Sequence, residues 1–314
     1  MKKVLVTGGA GFIGSHTVDL LLENQVPVRV LDNFSSGHRE NLDADNPLLE
    51  IIEGDIVDVD TVHQQLDGVS HCLHLAAQVS VVASIEDPLH SATQNIIGFV
   101  NVLNECQRQG VERLVYASSA AVYGTPSQIP LPETAERLQL SPYGLEKQVD
   151  EEYAGLFERL HGLSSLGQRF FNVYGPRQDP KSPYAGVIAL FVDAISEGRD
   201  ISVFGDGLQT RDFVFVKDVA RANVAALQTN LGGACNIGTG VQSTLLDLIA
   251  ALSKITGKQS VINHLAEREG DIRESLANVE RMQGELGVIA QTDLENGLRA
   301  LLDYSRDPSH DAVA

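Results

Sequence analysis

The hydrophobic pattern of the first half of the chain switches repeatedly between two periods. Short apolar runs occur at 3–8 (KVLVTG), 28–32 (VRVLD), 50–55 (EIIEGD), 71–77 (HCLHLAA) and 113–119 (RLVYASS). Runs of this length, rich in branched residues, suit strands that are buried on both faces. Between them lie stretches with helical spacing. GFIGSHTVDLLLENQ (11–25) reads as a helix with apolar positions at Ile13, Val18, Leu21 and Leu22. The stretch 88–110 has the same period and ends on glycine. Another helix is predicted from Tyr143 to about Leu160, followed by a strand and loop over 164–176. Strands alternating with helices predict parallel pairing, right-handed crossovers and helices on both faces. The predicted fold class is α/β, a doubly wound parallel sheet followed by a smaller mixed α/β domain.

The second half is less regular. A polar loop and a helix occupy 179–198. ISVFGDG and RDFVFV read as short strands around a glycine turn. Helices are predicted near 218–229, 244–256 and 291–303. The expected boundary places one domain at 1–178 and a second at 179–314.

Composition narrows the options. A chain of 314 residues with 43% hydrophobic and 21% charged content is ordinary for a globular protein. No apolar run is long enough to span a bilayer, so no membrane partner is expected. The start, MKKVLVTGG, lacks the apolar core of a secretion signal and reads as a first strand, which points to the cytoplasm. A net charge of −19 argues against nucleic acid, whose binders carry basic surfaces. It leaves room for an anionic small ligand held by a few local arginines. The three cysteines, Cys72, Cys106 and Cys235, are far apart and odd in number, so no disulfide framework or zinc site is indicated. The nine histidines form no ligating cluster, and no metal is expected.

Two motifs carry chemistry. TGGAGFIGS (7–15) follows a predicted strand and opens a predicted helix. Gly8 would permit the tight turn, Gly11 the close approach of a pyrophosphate, and Gly14 the packing of helix on strand. The pyrophosphate would sit at the positive end of the helix. Asp32 ends the second strand, 18 residues after Gly14. A carboxylate there accepts hydrogen bonds from both ribose hydroxyls and repels a 2′-phosphate, so NAD is expected rather than NADP. The second motif is SPYGLEK (141–147). Tyr143 and Lys147 stand four residues apart, on one helical face. Alone, such a pair is ordinary surface decoration.

Together, the G-x-x-G-x-x-G spacing and SPYGLEK resemble the extended short-chain dehydrogenase/reductases, and within them the nucleotide-sugar epimerases. The resemblance covers residues 3–305. It implies a Rossmann domain and a homodimer formed through a four-helix bundle of the Tyr–Lys helix and the helix near 88–110. It also implies that 212–236 returns to the first domain's sheet. By resemblance, the third catalytic residue is Ser119, in YASSAAVYG (116–124). The trio fits the chemistry of a secondary alcohol losing a proton as a hydride leaves its carbon. Tyrosine is normally too weak an acid to serve as base at neutral pH. The Lys147 charge would favour its phenolate, and Ser119 would steady the substrate oxygen.

The resemblance assigns further cofactor contacts to Phe12, Ile13, Asn33, Ser35, Ser36, Gly37, Asp55, Ile56, Leu75, Ala76, Ala77, Gln78, Asn95 and Phe171. Asn95 could equally be a structural residue at a helix kink. For a UDP-sugar substrate it implies Ser80, Asn172, Val187, Phe204, Arg211, Arg268, Asp271 and Ser275. Two arginines from separate segments suit a diphosphate. Ser275 occupies a position where a bulky aromatic would restrict the pocket to glucose and galactose, whereas serine leaves room for an N-acetyl group. A lysine common near Ser80 in glucose/galactose epimerases is absent here. Sugar dehydratases of the superfamily carry Asp and Glu after the catalytic hydroxyl residue, and decarboxylating members a Glu nearby. Here those positions are Ala120 and Ala121. The expected activity is therefore 4-epimerisation of a UDP-hexose. A decarboxylase or dehydratase on the same scaffold, and a non-catalytic NAD-binding module, remain as alternatives.

Overall fold

β1 (Val4–Thr7) is buried along its whole length. It is followed by α1 (Phe12–Glu23), β2 (Val28–Asp32), β3 (Leu49–Glu53), α2 (Val59–Gln65) and β4 (His71–His74). Next come α3 (Val81–Glu86), α4 (Pro88–Ala92), a π-helical stretch (Thr93–Ile97), α5 (Gly98–Arg108) and β5 (Arg113–Ser119). A 3-10 turn (Ala120–Tyr123) precedes α6 (Pro142–His161), β6 (Ser165–Phe170) and β7 (Asn172–Tyr174). Beyond them lie α7 (Val187–Glu197), β8 (Ile201–Phe204), β9 (Thr210–Arg211), β10 (Phe213–Phe215), α8 (Val216–Leu227) and β11 (Gly233–Ile237). The last elements are β12 (Ser243–Thr244), α9 (Leu245–Thr256), β13 (Ile262–Leu265), α10 (Glu280–Gly284) and α11 (Leu294–Ser305). The computed structural model describes residues 1–125, 127–179, 186–267 and 272–306.

Seven strands form one sheet in the order β11-β6-β5-β4-β1-β2-β3, and every pairing is parallel. The chain leaves β1 in one direction to β2 and β3, and then crosses to β4 on the other side. That reversal opens a crevice beyond the carboxyl ends of β1 and β4, where such sheets bind ligands. The period-2 geometry of β1 divides the core. Val4 and Val6 join a cluster with Val18 and Leu21 of α1 and Val219 and Ala222 of α8. Leu5 faces the other way, with Val62 of α2 and Phe99, Val102 and Leu103 of α5. A third cluster joins α7, β8, β10, α9 and α11 through Phe191, Val203, Phe213, Leu248 and Leu301. Among the described residues, no helix is long and apolar enough to cross a membrane.

The 28–32 and 113–119 strands stand where the pattern puts them. Two expectations change in detail. The run 71–77 stops pairing at His74, since Leu75 onward turns toward the crevice. The 88–110 helix is divided by the π-helical stretch, which carries the buried Asn95. β11 has little apolar signal in GACNI, yet it pairs with β6 at the sheet edge. α8 packs on α1.

His16 on α1 is buried and hydrogen-bonds through Nε2 to the Pro176 carbonyl at 2.9 Å, tying α1 to the loop after β7. Burial pulls its pKa down to about 4, so the folded protein holds the ring neutral. A depressed histidine contributes stability above the ordinary pKa of about 6.5, and that contribution is lost as pH falls toward 4. The loss amounts to about 3 kcal/mol. Thermal unfolding followed by circular dichroism should show a falling midpoint below pH 6.5, with a shallower fall in His16→Gln.

Candidate active site

The glycine turn is closed on itself. Gly8 has φ +68°, and a Cβ there would lie 2.6 Å from the Ala76 nitrogen. A Cβ on Gly14 would lie 2.1 Å from the Gly8 carbonyl oxygen. At Gly11 the nearest atom to such a Cβ would be the same oxygen, at 3.3 Å, so this side of the turn is the open one. Gly11 is also the N-cap of α1. No side chain caps the helix and no acidic residue stands in its first turn, so the amides beside Phe12 and Ile13 face outward with their positive end uncompensated. Asp32, at the end of β2, is buried. Its Oδ2 accepts from the Ala10 amide and its Oδ1 from the Phe34 amide, both at 2.9 Å. These bonds fix the carboxylate beside the turn and leave further lone pairs. Gly37 packs against Ala10 and Asp32. Asn33 donates to Asp55 Oδ2 at 3.0 Å and accepts from the Ser35 amide, which holds the 33–36 loop beside Asp55 and the buried Ile56. A dinucleotide's pyrophosphate and ribose fit this closed turn, open helix end and anchored carboxylate.

The strand end after β4 is pinned from several sides. Leu75 donates its amide to the Thr7 carbonyl, and Ala76 to Thr7 Oγ1. Asn95 holds the next residues. Its Oδ1 accepts from the Gln78 amide at 2.8 Å, and its Nδ2 donates to the Gln78 carbonyl at 2.9 Å and to Glu146 Oε2 at 2.6 Å. Of the two readings of Asn95, the structural one describes what its side chain touches within the chain. Ser80 is buried and its Oγ caps α3, accepting from the Ala83 amide.

Ser119, the last residue of β5, is half-buried, and its Oγ accepts from the Ala121 amide at 3.1 Å. Its hydroxyl proton can still be donated outward. α6 begins directly against this segment. Its N-cap is Ser141, and a Cβ on Gly144 would lie 2.7 Å from the Ala121 carbonyl oxygen. Only glycine lets Tyr143 come this close to the turn that carries Ser119. The Tyr143 amide donates to Ser84 Oγ at 3.2 Å, and Tyr143 itself is half-buried. Lys147 lies on the same helix face, 2% exposed, and donates from Nζ to Asp150 Oδ2 at 3.2 Å. Burial pulls the lysine pKa down, but Asp150, Tyr143 and Glu146 together push it above its ordinary value.

The described residues expected to hold the substrate come from several separate segments of the chain. Phe171 is buried with Val122, Tyr123 and Leu131 behind the Ser119 segment. Asn172 is exposed at the start of β7. Val187 opens α7 and Phe204 ends β8, and both are half-buried. Arg211 donates to the Thr210 carbonyl at 2.8 Å and the Ile272 carbonyl at 2.6 Å, which brings it to the segment carrying the buried Ser275. Arg268 and Asp271 lie outside the described residues.

The NAD-dependent epimerase/dehydratase family model matches residues 4–238. The chain belongs to that family. It is 39% identical, over 97% of its length and 98% of the relative's, to a protein of Methanocaldococcus jannaschii described as a putative UDP-glucose 4-epimerase. It is similar to the UDP-glucose 4-epimerase of Thermotoga maritima solved with UDP-glucose, at 39% identity and a TM-score of 0.93, over 97% of this chain and 98% of that one. It is also similar to a UDP-N-acetylglucosamine 4-epimerase of Methanobrevibacter ruminantium solved with UDP-N-acetylmuramic acid. There the identity is 37% and the TM-score 0.94, again over 97% and 98% of the two chains.

Within this family member, three buried acids matter that the motif reading passed over. Asp212 is fully buried and takes four bonds. Its Oδ1 accepts from the amide and hydroxyl of Thr239, and its Oδ2 from the Gly240 and Ala277 amides. It thereby registers the Arg211 strand against the Ser275 segment. Glu146 joins α6 to Ser91 and Asn95. Asp150 pairs with Lys147. Each had a signal: Asp212 opens an apolar strand, while Glu146 and Asp150 are i+3 and i+7 from Tyr143 on the helix face that carries Lys147.

Proposed function

We propose that the chain is an NAD-dependent UDP-hexose 4-epimerase that inverts C4 through a transient 4-keto sugar. The observation that carries this reading is the close approach of the start of α6, which carries Tyr143 and Lys147 on one face, to the turn that follows Ser119, with alanines at 120 and 121. Tyr143 takes the proton of the C4 hydroxyl. Lys147 stands on the same helix face as Tyr143, and the Ser119 hydroxyl donates to the substrate oxygen. NAD, when bound, would supply the hydride acceptor and donor for C4. With Ala120 and Ala121 in place, that segment offers no carboxylate for eliminating water, which favours this reading over a dehydratase or decarboxylase.

The same reading assigns Gly8, Gly11, Phe12, Ile13, Asp32, Asn33, Ser35, Ser36, Gly37, Asp55, Ile56, Leu75, Ala76, Ala77, Gln78, Asn95 and Phe171 to the cofactor, together with Tyr143 and Lys147. Ser80, Asn172, Val187, Phe204, Arg211, Arg268, Asp271 and Ser275 are assigned to the UDP-sugar, with Ser119 and Tyr143. Arg211 and Arg268 would grip the diphosphate, and the small Ser275 would admit either a C2 hydroxyl or an N-acetyl group. The two solved relatives, one named for UDP-glucose and one for UDP-N-acetylglucosamine, make both sugars the first to try. The proposed cofactor domain is 1–178 with 212–236, which rests on the pairing of β11 with β6. The remainder of 179–314 would hold the sugar nucleotide. Three buried free thiols suit a reducing compartment such as the cytoplasm.

Purified protein incubated separately with UDP-glucose and UDP-N-acetylglucosamine, without added NAD, should form the C4 epimer of at least one. Absence of both epimers from protein shown to contain NAD would overturn the reading.

The homodimer belongs to the same proposal. α6 exposes Leu145, Leu156 and Leu160, and the segment leading into α5 exposes Leu89 and Ile97, an apolar face where two copies could form a four-helix bundle. Leu156→Asp should convert the dimer to monomer by light scattering, with the unfolding midpoint dependent on concentration only in the parent protein.

A further inference from the structure

We propose that Asp150 is a positioning residue of the Tyr143–Lys147 pair, a buried counter-charge that keeps the Lys147 ammonium charged and aimed. Tyr143, Lys147 and Asp150 follow the i, i+4, i+7 spacing that places them on one face of α6. Lys147 and Asp150 are 2% and 1% exposed, so neither can rely on water. A buried ammonium without a partner readily sheds its proton. Lys147 donates from Nζ to Asp150 Oδ2. Glu146, also on α6, is occupied elsewhere by Ser91 and Asn95. Glu151 is occupied by Ser118, Arg137 and Arg169. That leaves Asp150 as the carboxylate committed to the lysine.

The other oxygen of Asp150, Oδ1, is buried with no partner among the described residues. An orphaned carboxylate oxygen is costly, and it is held there by the attraction to Lys147. The groups facing the pair from other elements do not replace it. Tyr116 of β5 is a phenol that burial pushes well up, and His74 of β4 is held neutral by burial with its pKa near 3. Arg169 of β6 is bound bidentately to Glu151. Burial pushes the Asp150 acid up to about 7, while Lys147 pulls it down. Taking away the cation would therefore leave an acid that resists ionisation more strongly still.

This inference rests on the proposed role of the Tyr–Lys pair in epimerisation. The stability part of its test does not depend on that role. In cofactor-free protein, Lys147→Met should lose thermal stability as pH rises from 6 to 9, since the dry site keeps the unpaired Asp150 protonated while the unfolded chain ionises it. Adding Asp150→Asn to that variant should abolish the pH dependence and raise the midpoint at pH 9. In the loaded enzyme, Asp150→Asn alone should lose about tenfold more activity at pH 9 than at pH 7, a fall the parent lacks. On the Lys147→Met background the same change should alter activity less than twofold. Equal losses from Asp150→Asn on both backgrounds, or a pH-independent midpoint in Lys147→Met, would overturn the proposal. Failure of the parent to epimerise either sugar would instead overturn the function and leave the stability cycle standing.

Discussion

Tyr143→Phe should lower the rate of C4 epimer formation by about 10³-fold, within the range that one positioned acid–base group supplies. The aromatic ring and its packing are kept, and only the hydroxyl proposed to exchange the substrate proton is lost. The backbone bond from residue 143 to Ser84 Oγ does not depend on the side chain, so α6 should begin where it does now. NAD content of the purified variant, measured after denaturation, should match the parent. Unchanged turnover would remove Tyr143 from the mechanism and leave the fold untouched. A loss of both cofactor and activity would mean that the hydroxyl holds the site together.

Gly14→Ala should have the largest effect on the glycine turn proposed to hold NAD. The new methyl would stand 2.1 Å from the Gly8 carbonyl oxygen and 2.8 Å from the Gly9 Cα. Both are backbone atoms of the turn, so no side chain can swing aside. Either α1 moves off β1 or the turn opens. The expected cost is about 3 kcal/mol or more, with an unfolding midpoint lower by several degrees and protein that purifies without NAD. Gly11→Ala is the contrast. Its methyl would meet protein only at 3.3 Å, so the fold should survive while the space beside the helix end is reduced. Stability close to the parent with weakened NAD retention is expected there. Normal NAD content in both variants would show that this turn is not where the pyrophosphate sits.

Much of this was legible along the chain because the controlling interactions are local. A strand, a glycine turn and a helix start are specified by consecutive residues, and Tyr143 and Lys147 share a face because helical spacing requires it. Asp32 could be read from its place at a strand end. Other features were not legible, because they depend on partners distant in sequence. The GACNI strand is held by β6 and not by its own composition. Asn95 could be weighed either way until its side chain was found bonded to Gln78 on one side and Glu146 on the other. Asp212 and Asp150 look like ordinary surface acids in a chain of net charge −19. Burial against residues far along the chain makes them anchors instead.

The sequence by itself determined the class of fold, the glycine turn that opens α1, the preference for NAD and the shared helical face of Tyr143 and Lys147. Each follows from residue type and short-range spacing. The tertiary structure alone decided which acids are paired and which are dry, how closely the Ser119 turn approaches the start of α6, and which loops Asn95 and Asp212 hold in register. Those outcomes depend on desolvation and on contacts between segments tens to hundreds of residues apart, which no local pattern encodes.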